Sequence, residues 1–141
     1  METTGVYEFE TAEAARGAYA DAGPAAQQVV KETAKAMAFD NEEYDERVTG
    51  AVVETARDAL FASLLTTYDA SREKFDAWCE DHPDYSVDLA GSESVASVVW
   101  HPVGFAETVV AASYQAEPEA AAATVRRRAF GRHYRGEVGD A

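Results

Sequence analysis

A chain of 141 residues with 26 acidic against 12 basic residues carries a formal net charge of −14. Its length suits a single domain, residues 1–141, around one core, and a content of 47 % hydrophobic and 11 % aromatic residues is too apolar for a disordered acidic chain. No apolar run approaches the length of a membrane-spanning helix, the lone Cys79 excludes an internal disulfide, and Met1-Glu2-Thr3-Thr4 is acidic where a signal peptide is basic, so a cytoplasmic protein with no membrane partner is expected.

Thr11 caps a first helix in which Ala12, Ala15, Tyr19 and Ala22 share a stripe, and Gly23-Pro24 ends it and opens a second. From Pro24 to about Phe39, the residues Ala26, Val30, Ala34 and Met37 recur at helical spacing. Asp40 and Asn41 introduce an acidic turn or short helix leading to Thr49-Gly50. Val53, Ala56, Leu60 and Leu64, flanked by Phe61 and Leu65, then form a wide apolar face, which predicts the central and most buried helix.

Ser71 introduces a fourth helix with Phe75, Trp78, Cys79 and His82 on one side. The period then changes. Tyr85, Val87 and Leu89 alternate with Ser86, Asp88 and Ala90, and Gly91-Ser92-Glu93 supplies turn chemistry before Val95 to His101, so a hairpin is predicted. Thr108 to Gln115 mixes Val-Val, which favours strand, with Ala-Ala, which favours helix; it is read as a third strand. Pro118 opens the last helix. The expected fold is α+β: a helical N-terminal half, a small antiparallel meander of about three strands, and a C-terminal amphipathic helix.

Gln28 to Leu65, the Val98-Val99-Trp100-His101 strand and Thr124 to Arg135 together resemble an uncharacterised family of small haloarchaeal proteins classed as a domain of unknown function. The resemblance implies no catalytic residues. It agrees with the lysine-poor, carboxylate-rich composition, which suits a cytosol where salt screens self-repulsion.

Candidate chemistry gathers at the C-terminal helix. Arg128, Arg132 and Arg135 lie at i, i+4 and i+7 and form a stripe, with Ala122, Val125, Ala129 and His133 beside it as the buried face. Guanidinium groups suit phosphate or carboxylate, yet a chain this acidic also offers internal partners. Arg126 falls inside the apolar arc and must meet a carboxylate or carbonyls; an ion pair is expected, and an anion site if it opens on a cleft. His101, at a strand end, is the natural general base if one exists, and Trp100 beside it is core or a stacking platform.

Cys79 and His82 have the Cys-x-x-His spacing of half a zinc site, but His101 and His133 are separated singles, so no metal site is expected. No phosphate loop, dinucleotide fingerprint or nucleophile elbow is present, and no cofactor is expected. The first functional reading is a non-catalytic protein-interaction or regulatory module that docks a protein partner or a second copy. The alternative is nucleic-acid binding by Arg127, Arg128, Arg132 and Arg135 with Trp100 or Tyr134 stacking. A small hydrolase or transferase using His101 is the third.

Overall fold

A computed structural model describes residues 1–139. Its helices begin where the sequence supplies caps. Thr11 Oγ1 accepts the Ala14 N–H at 3.1 Å and opens α1 (Ala12–Asp21). Asp40 opens α3 (Asn41–Arg47), Thr49 opens α4 (Gly50–Ser63) and Ser71 opens α5 (Arg72–Asp81) in the same way. Each side-chain oxygen satisfies an N–H that the first helical turn leaves unpaired. α2 (Gly23–Ala36) follows α1 almost directly and needs no such cap, because Pro24 in its first turn has no N–H to satisfy.

Five strands among the described residues form one mixed sheet in the order β1-β2-β4-β5-β3: β1 (Glu2–Thr4), β2 (Thr67–Ser71), β3 (Ser86–Ala90), β4 (Ser97–Val103) and β5 (Thr108–Tyr114). β1, β2, β4 and β5 pair antiparallel in turn, and β3 lies parallel to β5. The α+β class holds, but the three-stranded antiparallel meander is corrected twice. β1 and β2 enlarge the sheet, and β3 forms no hairpin with β4; it joins the far side of β5. There Leu89 reaches the cluster under α5, while Asp88 turns to the opposite face and meets arginines of the last helix. Thr108 to Tyr114 is a strand. Val109 to Ala112 are buried on both faces, where two small alanines let helices approach the sheet closely.

Alternation divides the core in two. Val99, Val103, Val110 and Ala112 face α6 (Pro118–Ala129) together with Phe61, Leu65, Val125 and Tyr134. Val98, Trp100, Val109 and Ala111 face α5 through Phe75. The expectation that α4 is the most buried helix is corrected: Phe61 alone is fully buried on it, and Leu64 is 38 % exposed. α4 packs chiefly beside α2 and not on the sheet, so its wide apolar face is only partly used. Among the described residues no helix is long and apolar enough to cross a membrane.

The last helix carries a register shift. α6 passes through a π turn (Phe130–Tyr134) into α7 (Arg135–Val138). The wider turn moves the buried face from the Ala121, Val125, Ala129 series to Phe130, Tyr134 and Val138. Tyr134 is therefore buried and His133 only half-buried, the reverse of the uniform helical wheel.

A close crossing ties the N-terminal segment to the end of α4. Val6 and Tyr7 N–H groups donate to the Leu64 carbonyl at 2.8 and 2.9 Å, and Thr66 N–H donates to the Tyr7 carbonyl at 2.8 Å. Gly5 turns into this crossing at φ +94°, and a Cβ there would stand 2.5 Å from the Leu65 carbonyl oxygen. Gly5→Ala is expected to cost about 1–3 kcal/mol. A lowered urea midpoint reads the effect, and an unchanged midpoint would show that the crossing relaxes without strain.

Candidate functional site

Two turns of α6 decide where its arginines go. Ala121, Val125 and Ala129 seat the helix on the sheet, so Ala122 and Arg126 lean toward β1 and β2 while Arg128 leans toward β3. Arg128 Nη2 and Arg132 Nη1 grip the two oxygens of Asp88 at 2.7 and 2.8 Å. Asp88 is 18 % exposed. Burial alone would raise its carboxyl, but the two guanidinium groups outweigh that and hold it below the usual carboxylate range. These two arginines are thus neutralised in part within the chain.

The other arginines separate. Arg135 lies over the Phe130 ring at 5.3 Å, and Arg127 is exposed with only a 3.5 Å contact to its neighbour Thr124. Arg126 is half-buried. Its Nε donates to the Leu65 carbonyl at 2.9 Å and its Nη2 to Thr4 Oγ1 at 3.2 Å. Among the described residues no carboxylate pairs with it within 4.0 Å, so carbonyl and hydroxyl take the place of the ion pair expected from its position. Burial lowers its affinity for a proton.

Trp100 and His101 point to opposite faces. Trp100 is 1 % exposed, enclosed by Phe75 at 5.3 Å and Tyr68 at 5.8 Å between ring centres. His101 is fully buried. Its Nδ1 lies 2.6 Å from the Thr66 carbonyl, which can only accept, so Nδ1 carries the proton and Nε2 accepts the Tyr134 hydroxyl at 2.7 Å. Both nitrogens are engaged. Burial pushes the imidazole down to about 4 and the Tyr134 phenol up. The structure therefore does not bring Trp100, His101 and the arginines together on one surface.

Two of the concavities bear on function. A cleft of about 330 Å³ runs between α6 and the β1–β2 edge, lined by Glu2, Thr4, Thr67, Asp69, Glu119 and Arg126 over Val99, Pro118 and Ala122. An apolar groove of about 390 Å³ lies between α2 and α4, closed by Phe39, Arg47 and Val48. Val29, Met37 and Val52 line it and are 46, 59 and 42 % exposed, above alanines 34, 56 and 59. Sequence reasoning missed both. The cleft brings together residues more than sixty positions apart, and the groove's signal, the excess width of the α4 apolar face, is in sequence indistinguishable from burial.

Residues 6–135 match a family described as a family of unknown function (DUF5809). No curated protein and no solved structure matches the chain.

Proposed function

For a chain that belongs to the DUF5809 family, whose description assigns no function, we propose a non-catalytic interaction module that acts as a homodimer docked through the α2–α4 groove. One observation carries this reading: the groove presents projecting apolar side chains and a floor of small ones on the same surface. A two-fold interface requires that self-complementarity, since each copy must supply both knob and hole. Met37 and Val29 are the knobs; Ala34, Ala56 and Ala59 are the hole. The lining holds no carboxylate and a single cation, Arg47 at its rim, so the acidic groups that give each copy its −14 stay out of the contact itself.

Repulsion between the bodies acts at longer range and is screened within about 3 Å at 1 M salt. The dimer accordingly fits a salt-rich cytosol, the setting that the acidic composition suggests. Sedimentation velocity across salt concentration tests it: the wild type is expected to be dimeric in multimolar salt and to dissociate as salt falls, and Val52→Asp to remain monomeric throughout. A wild type that stays monomeric in multimolar salt sinks the reading.

The nucleic-acid alternative loses support from the Asp88 pairs, which occupy two of its four arginines. The hydrolase or transferase reading loses its base, because His101 has neither exposure nor a free nitrogen.

A further inference from the structure

The cleft beside α6 is polarised along its length. In the β1–β2 register Glu2 stands directly opposite Asp69, and Thr4 stands opposite Thr67. Two carboxylates facing each other across an antiparallel pair repel, a placement that costs stability unless something cationic lies between them. Glu119, in the first turn of α6, adds a third carboxylate at the same end of the cleft. Asp69 is held in place, since its Oδ1 accepts the Tyr114 hydroxyl at 2.5 Å.

At the other end the chemistry reverses. Thr4 and Thr67 share a 2.9 Å hydroxyl contact, Thr67 is 3 % exposed, and Arg126 reaches Thr4 from the helix. The half-buried guanidinium there has no carboxylate partner among the described residues. An uncompensated cation at one end and uncompensated carboxylates at the other share one cavity without touching. The two poles lie about 7 Å apart along β1, two residues of a strand, and about 10 Å apart along α6, seven residues of a helix.

We propose that this cleft binds a small zwitterion of the ω-amino-acid class, with its carboxylate on Arg126 and on the one hydroxyl proton that the Thr4–Thr67 pair leaves free, and its ammonium among Asp69, Glu2 and Glu119. The pairing matches each unpartnered charge with its opposite, and the guanidinium receives the planar anion that its fork geometry fits. Val99, Pro118 and Ala122 line the same space and suit a short methylene chain between the two ends. An α-amino acid carries its charges too close together to reach both poles. Such a ligand would make the protein a sensor of a small metabolite. The site shares no lining residue with the α2–α4 groove, so the two readings stand or fall separately.

The experiment titrates the full chain with γ-aminobutyrate by calorimetry, beside glycine, butyrate and butylamine. Saturable binding of γ-aminobutyrate is expected, with each single-charge analogue weaker by about tenfold or more. Arg126→Gln is expected to weaken binding by a similar factor; because its Nε also braces the Leu65 carbonyl, Glu119→Gln on the exposed first turn of α6 supplies the same test without that risk. Equal affinity for butylamine and γ-aminobutyrate means that the acidic end takes cations alone, and overturns the proposal. So does a Glu119→Gln protein that binds γ-aminobutyrate as the wild type does, or the absence of binding by the wild type.

Discussion

Phe61→Ala is expected to remove about 3–5 kcal/mol of folding stability. Phe61 is fully buried, and its ring is the hub of an aromatic cluster, with centres 5.3 Å from Tyr7, 6.0 Å from Phe9, 5.6 Å from Tyr19, 5.9 Å from Phe130 and 5.6 Å from Tyr134. Those five rings come from the N-terminal segment, α1 and the π turn, so no single element can shift to fill the space an alanine leaves. Collapse is what softens such substitutions elsewhere, and here it is blocked. The loss is a large share of the roughly 5–15 kcal/mol by which domains are stable. Urea unfolding measures it. A loss under about 1 kcal/mol would mean that the cluster repacks freely, contrary to the close ring contacts.

Acid is expected to weaken the fold through His101. Burial lowers the folded-state pKa to about 4, against 6.5 for the free side chain. The unfolded chain therefore binds a proton at a pH where the folded chain refuses it. The stability that His101 contributes is fully present above pH 6.5 and is lost as pH falls from there toward 4, about 3 kcal/mol in all. Protonation would also put a proton on Nε2, where the Tyr134 hydroxyl now donates, so the phenol must become the acceptor and turn its own proton away into the core. His133, lowered by burial as well, adds in the same direction. Unfolding free energies measured from neutral to acidic pH read this slope. Replacing the pair together, His101→Leu with Tyr134→Phe, removes the titrating group without leaving the phenol unpaired and should flatten the curve between pH 6.5 and 4. A double variant as acid-sensitive as the wild type would place the lability elsewhere.

Local chemistry was legible and long-range pairing was not. Thr11, Asp40 and Ser71 announced helix starts because a cap depends on residues three positions away. The alternation at Val87 and Leu89 announced a strand; it carries no information about the neighbour, so the parallel partner β5 could not be read. β2 was invisible because Thr67 to Ser71 is short and mostly polar, and it becomes a strand only when β1 and β4 flank it. The wheel placed Arg126 in the apolar arc but could not supply Leu65 and Thr4, which approach from sixty-one and one hundred and twenty-two positions away. It failed past Ala129, where the π turn adds a residue and exchanges the roles of His133 and Tyr134. Of the candidate residues, the arginines' helix was legible and their partner Asp88 was not, since nothing in a strand sequence marks a carboxylate as aimed at a distant helix.

The strand order sets the order in which this sheet can assemble. Of the five described strands β1 is synthesised before the others, yet among the described residues β2 is its only partner in the sheet, and no β2 exists until some sixty further residues have emerged. β1 thus waits for the later strands of its sheet, and closing that long loop makes its docking a late folding event. Once docked, three exposed residues hydrogen-bonded on one side should be among the first to open again in the native state. Amide exchange at Glu2 to Thr4 is then expected to be fast while β4 and β5 stay protected, and the wall of the α6 cleft is the part of the sheet that breathes.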